Sequence, residues 1–426
     1  MQKMDWRRLL PRGWYEQRDV EVLTLKLILL CHPVFFRSQS MPRFAQMLKS
    51  SFVERGHEVQ IWSPAGRVFH WFEKSRLAKW AGYVDQYVLF PRWISSRLKA
   101  VSNDTLFVFC DQALGPWMPM IANRPHVVHV HDLLALRSAL GDCPENPTSL
   151  TGRIYQRFIR RGFRTARHFI SISQKTRSDL HYFGKVNALT SEVVYNGLNF
   201  PYAPLDRGVS HEILRERGLP ITSRGMLLHV GGGQWYKNLA GIISLYARYA
   251  EEETEPLSLW CVGPPPSAAI EVQLRKVPSS GRVHFFQNLD NLGLQAAYCA
   301  ANALIFPSLE EGFGWPLVEA QACGCPVITT NAPPMIEVAG EAALYLPRLT
   351  RDASIDDWAA NGASVLRNLL SESALEMAAR SKLGQAWSAN FTLRKTIDGY
   401  LNIYEDVLAR FGSTLAHATA TGDRQP

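Results

Sequence analysis

Short apolar runs alternate with helical patterns along this chain, and that alternation permits little besides a parallel β-sheet covered by helices on both faces. Residues 25–31, 58–62, 105–110, 126–130 and 168–172 read as buried strands, and 41–55 as a helix stopped at Gly56. The pattern restarts after residue 200, where Pro201, Pro204, Gly208, Gly218 and Pro220 mark a linker and its fringe. Beyond it, 225–230, 257–262, 283–286, 303–306 and 326–329 again read as strands with helices between. The expected fold class is therefore α/β, with two successive parallel sheets. A length of 426 residues, 46% of them hydrophobic, is enough for two separate cores.

The composition excludes several classes. Seven cysteines, odd in number and without C-x-x-C or Cys/His zinc spacing, point to a reducing compartment. The first twenty residues lack the apolar stretch of a signal peptide, and 22–31 is about half the roughly 20 residues of a membrane span. A cytoplasmic protein is expected. The net charge of +8 suits nucleic acid, an acidic membrane surface or an anionic substrate. No zinc finger, KH-type loop or RNA-recognition signature accompanies it, so nucleic acid is not expected as a partner.

The most informative stretch is 306–328, containing Glu310-Glu311-Gly312-Phe313-Gly314-Trp315-Pro316-Leu317-Val318-Glu319. A strand ends near Ser308, glycines allow a tight turn, Pro316 suits the first turn of a helix and Gly324 stops that helix. Free amides and the positive dipole end at such a helix start attract phosphate. Carboxylates accept hydrogen bonds from sugar hydroxyls. Glu319 alone reads as a solvated helix residue and Glu311 alone as a turn residue. Flanking one anion site, they suggest a ligand carrying both phosphate and sugar.

This E-x7-E element resembles that of the retaining family 4 glycosyltransferases, which have the GT-B architecture of two Rossmann-like domains facing a central cleft. The resemblance implies that Glu311 approaches a donor sugar, that Glu319 holds the nucleotide ribose, and that amides around Phe313, Gly314, Leu317 and Val318 serve sugar and diphosphate. Lys237, in the stretch Gly231-Gly232-Gly233-Gln234-Trp235-Tyr236-Lys237, matches the diphosphate-binding lysine, with Gly232 in the turn before it. Many relatives carry an arginine soon after that first glycine, and here Gly232, Gly233 and Gln234 stand in its place. His131-Asp132, following a first-domain strand, resembles the family's His-Asp motif. His131 is assigned to face the donor sugar, with Asp132 orienting it and His129 as the competing choice. Asp111 and Gln112 could touch acceptor or cap a helix.

On this resemblance, residues 1–200 form an acceptor-side domain and 201–390 a nucleotide-sugar domain. Residues 391–412 form a helix crossing back to the first domain, and 413–426 a disordered tail. The activity implied is retaining, metal-independent transfer of a hexose, mannose favoured, from a nucleotide diphosphate sugar such as GDP-mannose to a glycan or lipid-linked saccharide. No metal or separate cofactor is expected. Catalysis falls to His131, Lys237 and Glu311. An epimerase or phosphorylase on the same fold, or a non-catalytic partner in polysaccharide assembly, are the alternatives. The basic and aromatic stretch 67–80, and Arg153, Arg157, Arg160, Arg161, Arg164 and Arg167 on one helix, could rest on an anionic membrane or be solvated faces over core aromatics.

Overall fold

The computed structural model describes residues 24–36, 40–221 and 224–422, with side chains as far as 413. The expectation about the first twenty residues lies outside the described residues, as do 37–39 of the first loop and 423–426. The first sheet holds β1 (Lys26–Leu30), β2 (Glu58–Trp62), β3 (Leu106–Phe109), β4 (His126–Val130), β5 (His168–Ser171) and β6 (Thr190–Val193). All its pairs are parallel, in the order β2-β1-β3-β4-β5-β6. The second sheet holds β7 (Met226–Val230), β8 (Ser258–Val262), β9 (Val283–Phe286), β10 (Ala301–Phe306), β11 (Val327–Thr330) and β12 (Leu344–Leu346). It too is parallel, ordered β12-β11-β10-β7-β8-β9.

The two strands that the apolar pattern misses, β6 and β12, are both at sheet edges. Thr190-Ser191-Glu192-Val193 buries only its first residue fully, and β12 is three residues long. An edge strand has fewer covered neighbours and needs no continuous apolar run. The helix expected at 41–55 is Ser40–Val53.

Each sheet reverses its winding beside its first strand, between β1 and β3 in the first domain and between β7 and β10 in the second. Such reversals open a crevice at the carboxyl ends of the strands, where ligands of open α/β sheets bind.

The last helix, Leu393–Gly422, follows the second domain in sequence but packs on the first. Ile397, Tyr400, Tyr404 and Val407, at helical spacing, are buried against Leu27, Leu29, Val108 and Val127 of the first sheet. The backbone of this helix continues to Gly422. Residues 413–422 are polar but contain no proline to stop the helix, and their alanines favour its continuation.

Candidate active site

In the second domain two loops meet at the winding reversal. After β7 the chain makes a short turn, Trp235–Lys237; after β10 it enters the loop before the helix Trp315–Ala322. Leu309 N donates to Tyr236 O at 2.7 Å, and Asn238 Nδ2 donates to Pro307 O at 3.1 Å. These bonds set Lys237 Nζ 2.6 Å from Glu311 Oε1, with both side chains largely buried. The ammonium also lies 4.8 Å from the centre of the Phe306 ring and 5.5 Å from that of Tyr236. Lys237 donates one hydrogen bond to Glu311.

The helix Trp315–Ala322 starts from Gly314, whose φ of +94° is a left-handed conformation that a side chain would strain. No side chain caps it, and Pro316 sits in its first turn, so its positive end is offered by backbone alone. Phe313, Leu317 and Val318 turn their side chains into the second-domain core, leaving only backbone to serve a ligand. The Gln234 side chain lies against Gly232, its Oε1 2.2 Å from where a Cβ would stand.

Glu319 is not a solvated surface residue. It is buried, and one carboxylate oxygen accepts from Tyr298 OH at 2.8 Å. Burial drives its pKa from 4.5 up to about 7, against the Tyr298 hydrogen bond and the Lys237 charge, which lower it.

On the facing domain, His131 follows β4. Its Nε2 lies 2.9 Å from Cys110 O, and since a carbonyl only accepts, Nε2 is the donor. Gln112 holds the same loop twice, accepting from His131 N at 3.3 Å and donating to Asp132 O at 2.6 Å. Asp132 does not orient the imidazole: its carboxylate accepts from Leu134 N at 3.0 Å at the start of the helix Leu134–Leu140. His129 is core. It is fully buried, its Nε2 lies 2.7 Å from Tyr404 OH of the last helix, and burial holds its pKa well below the usual value. Asp111 both caps the turn Gln112–Trp117 and pairs with His32 Nε2 at 2.9 Å, at the winding reversal of the first sheet.

The two domains are clasped. Arg137, on Leu134–Leu140, reaches Glu310 through two parallel bonds of 2.7 and 3.1 Å. Lys175 and Arg348 stand 3.5 Å from the same carboxylate. Burial would raise the Glu310 pKa, but the Arg137 hydrogen bond and the charges of Lys175, Arg137 and Arg348 bring it below the ordinary value. Glu337 accepts from the amides of Gln174 and Lys175, capping the helix Gln174–Asp179 from the other domain. Ser173 Oγ donates to Gly312 O at 2.8 Å, and a Cβ on Gly312 would stand 2.2 Å from His131 O. Gly312 is thus the point at which the loop before Trp315–Ala322 touches the histidine loop.

Residues 41–200 match the family described as Glycosyltransferase Family 4, and residues 211–382 match Glycosyl transferases group 1. The crystal structure of WaaG, a glycosyltransferase involved in lipopolysaccharide biosynthesis, superposes with a TM-score of 0.65 at 17% identity, covering 89% of this chain and 99% of that one. The chain is a pair of glycosyltransferase domains in the GT-B fold. In sequence the chain is similar to O-antigen chain mannosyltransferase B of Escherichia coli, 24% identical over 265 residues, and to O-antigen chain mannosyltransferase RfbU of Salmonella typhimurium, 23% identical over 230. The matches cover 61% and 54% of this chain, and span 66% and 58% of the length of those relatives.

Within the glycosyltransferase cleft, Lys237, Glu311, Gly314 and the first helical turn come together, and the Gly312 contact brings His131 beside them. Sequence reasoning missed the roles of Glu310, Arg137, Gln112 and Tyr298. Glu310 had one available signal, a second carboxylate beside Glu311 in the same loop; its arginine partner, far away in sequence, had none. Among the described residues no group of three or more His, Cys, Asp or Glu side chains is arranged to hold a metal ion, and no helix is long and apolar enough to cross a membrane.

Proposed function

We propose that this chain is a retaining hexosyltransferase, moving mannose from GDP-mannose to a glycan or lipid-linked saccharide during synthesis of cell-surface polysaccharide or lipopolysaccharide. It works without a divalent metal, as a cytoplasmic protein peripheral to the inner face of the membrane. The observation that carries the reading is the Lys237–Glu311 pair, set at the winding reversal beside an uncapped helix N-terminus. The names of the two O-antigen relatives support mannose as the sugar.

The donor diphosphate lies along the amides at the start of Trp315–Ala322 and against Lys237. As the bond from the anomeric carbon to phosphate oxygen breaks, its electron pair goes to the diphosphate, and Lys237 stabilises the growing charge. An acceptor hydroxyl attacks the same face of the sugar, passing its proton to the departing phosphate oxygen. Glu311 accepts from sugar hydroxyls, Glu319 from the ribose, and His131 Nδ1 from a sugar hydroxyl on the first-domain side.

A screen of nucleotide sugars, reading nucleotide release with candidate acceptors, tests the reading. Release of GDP together with a mannosylated product is expected. An isomerised donor with no transfer would assign the site to an epimerase, and no turnover of any donor would leave an assembly partner.

A further inference from the structure

A cavity of about 820 Å³ lies on the first domain beside its winding reversal, apart from the Lys237 and Glu311 site. His32, just past the end of β1, lines it and donates from Nε2 at 2.9 Å to the largely buried Asp111 carboxylate, just past β3. Burial would lower the His32 pKa, but the Asp111 hydrogen bond and charge carry it above its ordinary 6.5. Only β3 separates β1 from β4, so the loop carrying His131 begins about 10 Å from that of His32, two strand spacings away. The cavity therefore adjoins the His131 side of the cleft.

Its walls are aromatic and held in place. Phe35 stacks on Phe69 with ring centres 4.7 Å apart, and Phe36 meets Phe69 edge-on at 5.9 Å. Phe69 is fixed in turn by the buried Asp85 carboxylate, which accepts from Phe69 N at 2.8 Å and from Val68 N at 3.0 Å. A Cβ on Gly82 would stand 2.6 Å from the Phe36 ring, and one on Gly66 2.9 Å from that of Phe35. Tyr83 stacks on Tyr155 at 5.6 Å, and Tyr155 OH lies 2.6 Å from Tyr87 OH. The electron-rich faces of such rings attract the C–H faces of sugars, and a pocket of this volume with a few placed polar groups is of the size that holds a small organic ligand. Cations dominate the charge. Lys74 and Lys79 line the cavity with His32, and among the described residues no ion pair engages either lysine. Glu73, the one carboxylate in the described lining, has His70 Nδ1 at 3.7 Å.

We propose that this cavity seats the acceptor and that the acceptor is an anionic saccharide, its sugar rings on the aromatic walls and its phosphate or carboxylate group bonded by His32, Lys74 and Lys79. A neutral glycan would leave these donors without an anion, whereas a phosphate or carboxylate meets them with charge-assisted hydrogen bonds. Asp111 holds the His32 ring and supplies the counter-charge that favours its protonated form. The proposal rests on the transferase reading and adds the acceptor class to it; GDP binding on the second domain does not depend on it.

An array of oligosaccharides probed with the full chain at saturating GDP tests it, with neutral glycans set against counterparts bearing a sugar phosphomonoester, a uronic acid or a phosphodiester at the reducing end. At least one anionic class should bind about tenfold or more tighter than its neutral counterpart, measured by calorimetry on the best binders, and less so in high salt. The class that binds tightest identifies the anion, a reducing-end phosphodiester being the form that a lipid-linked saccharide presents. His32→Gln, and separately Lys74→Gln with Lys79→Gln, should each remove most of that preference, while GDP affinity stays at the wild-type value and shows the fold intact. Equal binding of neutral and anionic glycans, no binding of any, or a preference that survives both sets of changes would each overturn the proposal. Anion-selective binding, lost in the variants, by a wild type that fails to bind GDP would uphold the cavity assignment while removing the donor reading.

Discussion

Lys237 owes its place to the backbone bonds that tie its turn to the β10 loop, so removing its side chain should leave the fold intact. In the proposed reaction its charge matters most when the diphosphate leaves, which places its effect on the barrier and not on ground-state binding. Lys237→Ala should lower kcat by about 100-fold or more, read by steady-state nucleotide release; an unchanged kcat in a folded variant would remove Lys237 from the site. Glu319 gives a second test, through pH. Its folded pKa of about 7 lies above its ordinary 4.5, so between those values the native state holds the proton more tightly than the unfolded chain. Stability from this group is thus full at low pH and declines as pH rises through the window to about 7. A shift of that size corresponds to on the order of 3 kcal/mol. Glu319→Gln keeps a partner for Tyr298 but has no proton to lose, so denaturant unfolding should show it gaining on wild type from pH 5 to pH 8. A parallel pH dependence of the two proteins would sink the assignment. On the proposed reading Glu319→Ala should weaken GDP binding by calorimetry, because the ribose contact proposed for it would act in ground and transition states alike.

At the scale of elements, the loop before Trp315–Ala322 and the loop after β4 close on each other through Gly312. A methyl group there would meet the His131 carbonyl, backbone against backbone, with no rotamer to relieve it. Gly312→Ala should cut transfer by about tenfold or more by parting the loops, since misplacing reacting groups by about 1 Å is costly, while GDP binding on the second domain holds. Equal kcat/KM in variant and wild type would show that the contact is dispensable. The clasp at Glu310 is a buried pair, and removing one partner strands the other. Glu310→Gln should destabilise the protein by about 3 to 5 kcal/mol at neutral pH, measured by denaturant unfolding. The wild-type pKa is depressed, so this contribution is present above the ordinary carboxylate range and disappears as pH falls through the folded value. The gap between the two proteins should therefore close in acid. Arg137 was legible only as one more helix arginine, because its partner stands 173 residues away.

For the molecule as a whole, the proposed reaction assigns anion stabilisation to a lysine and backbone amides, one on each side of a single reversal in the second sheet. Transfer should accordingly continue in EDTA; abolition by chelation and rescue by magnesium or manganese would require a different account of the leaving group. The last helix joins the domains from behind, through Tyr400 and Tyr404 against the first sheet. His129→Ala should accordingly lower thermal stability by removing the Tyr404 bond, whereas His131→Ala should act on transfer with little change in melting temperature.

Two covered parallel sheets, the glycine turns and the uncapped helix start were determined by the sequence alone, because period, residue size and backbone freedom are local properties. Elements with strong apolar runs, such as β3 and β10, were readable for that reason, and the half-polar edge strand β6 was not. His129 and His131 lie on the same side of one strand and are equivalent by periodicity. Only the docking of the last helix makes the first a core residue and leaves the second near the cleft. Glu319 has the same local pattern whether solvated or buried, and its raised pKa comes from burial in the surrounding core, against the Tyr298 hydrogen bond. Burial and pairing between distant positions, as in Glu310 with Arg137 and Gly312 with His131, depend on which surfaces meet, and that was decided by the packing of two domains against each other.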